Sequence, residues 1–405
     1  MTQVDAGLPT GFVKAQGEFL AVKKADGTWE KIVLQGVNAG GWLVTEDWMC
    51  PTSLSPDDLK GEHGMDELAD GLRAAIGAEA TNQLFALYRD RWWTAADFDN
   101  VKALGLNCLR LPFVWRDLID ERGEPRPNGF ARLDWFVREC NRRGLWVVLD
   151  LHGAPGSQNG RHHSGDTRVH SLFDDPAMLA LCCKVWTLVA TRYRGDPTIA
   201  AYDLLNEPEG QPGGTFHQKK VREGHAALFK AVRAADPDHV IMVEAVWDAD
   251  SLPRPEEYGW DNVCYQYHFY EWGNYNDFES KKRFVASKIA DQEKFRHGVP
   301  LFVGEFTFFD NPESWAYALK TFNARGWGWT LWTYKVCLEN SGWGLYNGLK
   351  RAPENVVTPR DDYASAAAKW GRVATADSFA RNEWLAKVLR ENAIPAPAAP
   401  APRGR

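Results

Sequence analysis

No apolar run in this chain approaches the roughly 20 residues that a bilayer-crossing helix needs. No block of lysine and arginine is present either, and the net charge is −7. Together these argue against a nucleic-acid partner and against an anionic membrane surface. Cysteine is sparse. The seven residues are odd in number, scattered, and without metal-ligand spacing; Cys182 and Cys183 are adjacent in a helix-like stretch. A disulfide framework is therefore not expected. Residues 1–17 lack both the charged start and the apolar run of a secretory leader. With the odd cysteine count this favours a cytoplasmic protein, although a secreted one whose leader had been removed would read the same. No internal repeat is evident, and the oligomeric state is not written in the sequence.

Tryptophan is abundant, with 19 in 405 residues. A buried indole needs a partner for its N–H, whereas an exposed indole face stacks well on the C–H face of a sugar. About half of these residues are expected in the core. The remaining composition, 44% hydrophobic and 25% charged, is that of a globular protein with a large core.

The chain alternates short apolar strands with amphipathic helices. The strands end at Asn38, Phe113, His152, Asn206, Val246, Tyr270, Phe306 and Thr333. Helix-like stretches cover 97–104, 133–142, 176–193, 217–234, 278–295, 312–324 and 378–389. Eight such strands with crossover helices predict an α/β fold, a (β/α)8 TIM barrel with loop insertions on the catalytic face. Residues 1–31 form an N-terminal segment with a β-hairpin, arms at 19–22 and 31–37 around Ala25-Asp26-Gly27-Thr28, the second arm running into the first barrel strand. The barrel itself occupies 32–392, with an insertion over 45–93, helical near 66–88, and another over 335–369. The tail, 393–405, is rich in Ala and Pro and is expected to be disordered.

Glu207 closes Tyr202-Asp203-Leu204-Leu205-Asn206-Glu207-Pro208, and Glu305 lies in Leu301-Phe302-Val303-Gly304-Glu305-Phe306. Each follows an apolar strand, so each carboxyl enters the barrel mouth, where side chains from separate strands converge. Two carboxyls there suffice for glycoside hydrolysis. A spacing of about 5–5.5 Å makes one a nucleophile and retains configuration, while about 6.5–9.5 Å admits a water and inverts it. The alternative is two buried acids paired with nearby bases.

Asn206-Glu207-Pro208 after strand four, Gly304-Glu305 at the end of strand seven, Arg110, His152, His268, Tyr270 and Trp332 make the chain resemble the retaining β-glycosidases of glycoside hydrolase family 5 over residues 32–335. The resemblance implies Glu207 as general acid/base and Glu305 as nucleophile. It implies substrate-binding roles for Asn206, at the sugar 2-hydroxyl, and for His152, His268 and Trp332, with Arg110 and Tyr270 keeping Glu305 ionised. Gly40-Gly41-Trp42-Leu43-Val44-Thr45-Glu46-Asp47-Trp48, the run from Asp150 to Gly160, and Trp93-Thr94-Ala95-Ala96-Asp97-Phe98 look like the exo-β-1,3-glucanase branch. On that likeness Glu46 binds hydroxyls of a terminal glucose; the plain alternative is a helix-capping acid. No metal or organic cofactor is implied, and the expected partner is a β-linked oligosaccharide, polysaccharide or glycoside.

Arg161, His162 and His163 depart from that branch, which has an aromatic residue and an acid before Ser164-Gly165. The change predicts a different leaving group or a charged substituent. Adjacent histidines also suggest a metal, but no facing carboxylate or third histidine is evident in the sequence. Trp272, Tyr275, Phe308 and Phe309 are candidates for leaving-group contacts. Glu244 on strand five is expected to be a buried structural acid, and Asp150 an orienting partner of His152. Rival readings are an endo-glucanase, a β-mannoside- or glycolipid-cleaving relative, and a non-catalytic carbohydrate-binding barrel.

Overall fold

The computed structural model describes residues 11–24, 26–208, 215–273 and 276–395. Eight parallel strands close into a barrel: β1 Gln35–Asn38, β2 Cys108–Val114, β3 Trp146–Gly153, β4 Ile199–Asp203, β5 Val240–Glu244, β6 Val263–Tyr270, β7 Leu301–Thr307 and β8 Gly328–Leu331. Each strand pairs with its sequence neighbours, and β8 closes on β1 through Trp329 opposite Gln35. All are buried along nearly their whole length, because helices cover one face and the barrel interior the other. The expected TIM barrel is the fold observed.

Surrounding helices start where the sequence supplies caps. Asp175, Asp277, Asn311 and Asn382 each accept a first-turn N–H, and Pro176 and Pro312 open their helices. The helix Ala95–Lys102 begins two residues earlier than expected because Thr94 and Asp97 form a capping box. The expected single helical stretch at 66–88 is two helices, Met65–Ile76 and Ala78–Trp92, broken at Gly77 with φ +86°.

At the N-terminus the hairpin gains a third strand. Val13–Gln16, Phe19–Lys23 and Trp29–Ile32 form an antiparallel sheet, and the last arm ends before β1 instead of running into it. Val13, Leu20, Val22 and Ile32 pack with Cys108, Val148, Met242 and Phe302, residues near the starts of barrel strands, so the sheet plugs the end opposite the strand C-termini. After β8, three very short strands at Lys335–Val336, Tyr346–Gly348 and Phe379–Arg381 form a second small sheet. Phe379–Arg381 occupies what the sequence suggested as the start of the last helix, which Asn382 defers to Glu383–Asn392.

Most of the 19 tryptophans are buried, more than the half expected. None of the seven cysteines is disulfide-bonded. Among the described residues no helix is long and apolar enough to cross a membrane. Of the expected disordered tail, residues 396–405 lie outside the described residues, as does Tyr275.

Candidate active site

At the C-terminal ends of the strands lies a cavity of about 480 Å³ whose lining includes Glu46, His152, Asn206, Glu207, Tyr270, Glu305 and Trp332. Its floor is organised by Arg110, which is wholly buried on β2. The guanidinium donates from Nη1 to Glu305 Oε1 at 2.9 Å and to Asn38 Oδ1 at 3.0 Å, from Nη2 to Asn206 Oδ1 at 2.9 Å, and from Nε to Asp203 Oδ2 at 2.9 Å. Asp150 Oδ1 lies 3.1 Å from Nη2. Burial opposes the charge on this arginine, but Asp150, Asp203 and Glu305 together raise its pKa.

Glu305 reaches the mouth through an irregularity in β7, whose register against β6 shifts between Val303 and Glu305. Gly304 sits at the shift; a Cβ there would lie 2.5 Å from the Gln266 amide carbon. The Glu305 carboxyl takes Arg110 on Oε1 and the Tyr270 hydroxyl on Oε2, the latter at 3.0 Å. Burial pushes its pKa up and the Arg110 charge opposes the shift. Donors on both oxygens select the ionised form.

Glu207 follows β4 with φ +44°, a left-handed conformation that costs a non-glycine residue about 1 kcal/mol or more. Its surroundings hold it there. Asn206 N–H donates to Leu151 O at 3.1 Å, Gln158 Nε2 donates to Asn206 O at 2.8 Å, and Asn159 Nδ2 donates to Glu207 O at 3.0 Å. On the side chain, His268 Nδ1 lies 2.8 Å from Oε1 and His163 Nε2 lies 3.2 Å from Oε2. One carboxylate oxygen of Glu207 and one of Glu305 lie within 4.8 Å of each other.

Because arginine only donates, Asn206 must turn Oδ1 toward Arg110, which leaves Nδ2 as a donor for a ligand. His152 is held by Asp150, Nδ1 to Oδ2 at 2.7 Å, and stacks on Trp332 with centroids 5.4 Å apart and planes 6° from parallel. Asp150 thus sits where an orienting partner was expected. Burial lowers the pKa of His152, but Asp150 more than compensates and raises it.

The departure at Arg161–His163 is placed in the same cavity. His162 Nε2 lies 3.2 Å from Glu46 Oε2, and His162 Nδ1 lies 3.5 Å from Glu62 Oε2. Burial disfavours both charges, yet the pair holds the His162 pKa up and the Glu46 pKa down. Trp48 Nε1 also donates to Glu46 Oε2 at 2.8 Å, so Oε1 is the oxygen left for a ligand. The facing carboxylate that the sequence did not reveal is therefore Glu46, with Glu62 behind. Glu46, His162 and His163 bring one ligand atom each within 4.8 Å, the arrangement of a candidate metal triplet. His163 does not fit that role: Asn159 turns Oδ1 to Arg161 N–H, so its Nδ2 donates to His163 Nε2 at 2.6 Å and occupies the lone pair.

All nine residues expected in the site lie in this one cavity or its floor. Sequence reasoning missed Asp203, Glu62, Trp247 and the contact of His163 with Glu207. Asp203 was findable: it lies on a barrel strand two residues after Ala201, which packs in the barrel interior, so the period of two points it inward. The others meet only through tertiary pairing. Trp272, 52% exposed, packs at tilted angles against Trp343, Phe309 and Tyr270, while Phe308 and Phe309 are themselves buried.

Fold and site define a class, an α/β barrel that gathers two carboxyls at the C-terminal ends of strands four and seven around a buried arginine. A family model for cellulase, glycosyl hydrolase family 5, matches residues 74–337, and the chain belongs to that family. It is 29% identical over 255 residues to a beta-xylosidase of Phanerodontia chrysosporium, covering 61% of this chain and 50% of that protein. It is 29% identical over 284 residues to a probable glucan 1,3-beta-glucosidase A of Emericella nidulans, covering 68% of this chain and 67% of that one. The chain spans between half and two thirds of the length of these relatives. Among solved structures, an endogalactoceramidase superposes with a TM-score of 0.63 at 18% identity, over 95% of this chain and 85% of that one, a likeness of fold.

Proposed function

We propose that the protein hydrolyses β-glucosidic bonds with retention, releasing sugar units from the non-reducing end of a β-1,3-linked or related β-glucan. The observation that carries the reading is the pair of carboxyls: Glu207 and Glu305 approach within 4.8 Å, on the short side of the two glycosidase geometries. Glu305, ionised between Arg110 and Tyr270, attacks the anomeric carbon as the glycosidic bond breaks, and the proton of Glu207 goes to the departing oxygen. A water then displaces Glu305 from the anomeric carbon while giving its proton back to Glu207. Asn206 Nδ2 meets the 2-hydroxyl, where the contact tightens in the oxocarbenium-like transition state. Trp332 and His152, stacked on each other, offer a flat wall for the same sugar.

Glu46 supports the exo-acting form of the reading. Fixed by Trp48 and His162, it presents one carboxylate oxygen to the cavity, a contact suited to the hydroxyls of a terminal sugar. The relatives named glucan 1,3-beta-glucosidase agree with this substrate class. The test is a time course of products from a β-1,3-linked glucose hexamer. Glucose and pentamer appearing first are expected; mid-chain fragments would replace the exo reading with an endo one. Glu305→Ala should abolish turnover, with partial rescue by azide, and unaltered activity would refute the assignment.

A second reading concerns the leaving group alone. The exposed face of Trp272, continued along the cavity lining by Trp343 and Tyr270, suits an apolar aglycone. Detergent-dispersed glucosylceramide cleaved in preference to the hexamer would select it.

A further inference from the structure

Glu244, at the end of β5, is wholly inside the barrel beneath the site and takes no part in the mechanism above. Its Oε2 accepts from Gln266 Nε2 at 3.0 Å, the same amide that donates to Asp203 Oδ2 at 2.9 Å. Its Oε1 has no hydrogen-bond partner among the described residues, and neither has His268 Nε2. These two buried atoms face each other at 3.4 Å.

The other nitrogen of His268 fixes where the protons are. Nδ1 lies 3.4 Å from Oε2 of the ionised Glu305, which can only accept, and 2.8 Å from Glu207 Oε1, so a proton on Nδ1 serves both. Burial pulls the imidazole pKa down to about 3, which keeps it neutral. In a neutral ring with Nδ1–H, Nε2 is a bare lone pair, and a buried carboxylate oxygen facing it would leave two acceptors opposed at cost. A proton on Glu244 Oε1 removes the conflict. Burial, with the neighbouring Asp203, pushes the Glu244 pKa well up, in the same sense. The other charged groups around the pair are Arg110 on β2, Asp150 and His152 on β3, and Glu305 on β7.

We propose that Glu244 is a positioning residue for Glu207: its carboxyl group, not its carboxylate, donates to His268 Nε2 and locks the imidazole in the tautomer whose Nδ1–H holds Glu207 Oε1. The consequence for Glu207 is directional. With Oε1 fixed as an acceptor, the proton that goes to the leaving group resides on Oε2. The inference rests on the acid/base role of Glu207 given above.

Two variants and two measurements test it. Glu244→Leu removes the donor, whereas Glu244→Gln keeps a neutral N–H at similar reach and an oxygen for Gln266. Hydrolysis of phenyl β-glucoside, which needs acid help, should fall at least about tenfold more in Glu244→Leu than that of 2,4-dinitrophenyl β-glucoside. That is part of the roughly 10²–10⁴ that general-acid catalysis supplies. Glu244→Gln should restore most of the loss. Equal losses on both glucosides, no loss, or a glutamine variant as impaired as the leucine one would overturn the proposal. In 15N-histidine-labelled wild type, His268, assigned by its disappearance in His268→Asn, should show a neutral ring protonated at Nδ1; an imidazolium or an Nε2–H ring would overturn it without reference to turnover. A wild type inactive on both glucosides would instead sink the hydrolase reading itself.

Discussion

Arg110 concentrates the demands of the site on one residue. It is wholly buried, yet its fork satisfies Glu305, Asn38, Asn206, Asp203 and Asp150 at once. Lysine at this position keeps the charge and loses the fork. Arg110→Lys should therefore lower kcat by about 10²–10³, the cost of removing a fixed donor from a developing charge, and should destabilise the fold by about 3 kcal/mol through the acids left under-paired. Steady-state kinetics beside urea denaturation checks both; a variant with normal kcat would show that Glu305 does not depend on Arg110. Glu207 and Glu305 were legible in the sequence because each sits in a short motif that follows or ends a strand, whereas Arg110, inside β2, was legible only through the family resemblance. The contacts of His163 with Glu207, His162 with Glu46 and Glu244 with His268 were not legible, since each joins residues far apart in the chain and no local pattern encodes it.

β7 shows how an element aims a residue. Without the register shift at Gly304, alternation along the strand would carry Glu305 out of line with Arg110, so the shift and the glycine belong together. Thr330 Oγ1 and Asn38 Nδ2 both donate to Gly304 O, at 2.6 and 2.9 Å, which pins the shift to β8 and β1. Gly304→Ala places a Cβ 2.5 Å from the Gln266 side chain. Displacing Glu305 by about 1 Å should cost about 10²-fold in kcat/KM, with the far-ultraviolet circular dichroism of the variant unchanged; full activity would mean that Gln266 yields and the aim survives. The eight strands were legible as elements because short, mostly apolar segments alternate with amphipathic helices along the chain. The strands Lys335–Val336, Tyr346–Gly348 and Phe379–Arg381 were not, being two or three residues long and held by a parallel pairing that no hairpin turn announces and by an antiparallel one that bridges a long stretch of chain, from Tyr346 to Arg381.

Taken whole, the molecule is a barrel with walls added at the strand C-termini, and those walls meet at a buried lysine. Lys335 is fully enclosed. Its Nζ donates to Trp92 O, to Val373 O at 2.9 Å and to Thr375 Oγ1 at 3.1 Å, and lies over the Trp92 ring at 4.3 Å and the Phe379 ring at 4.8 Å. It thereby joins the end of the 45–93 insertion to the C-terminal segment. Burial lowers its pKa from 10.5 to about 8, with Asp97 opposing the shift. Below about pH 8 the lysine is charged in both folded and unfolded chains and the cost of burying that charge is paid in full. Between about pH 8 and 10.5 the unfolded chain binds more protons than the folded one, so this group makes stability rise with pH. The span is worth about 3 kcal/mol. Buried thiols and phenols with raised pKa values act in the opposite sense over the same range, so the wild type alone does not isolate the effect. Lys335→Met does, because those groups titrate alike in both proteins while the carbonyls it strands add a constant offset. The unfolding free energy of the wild type minus that of Lys335→Met, from urea titrations, should grow by about 3 kcal/mol from pH 7 to 10.5. A difference that stays flat would mean that the hydrogen bonds and rings around Nζ hold its charge as well as water does.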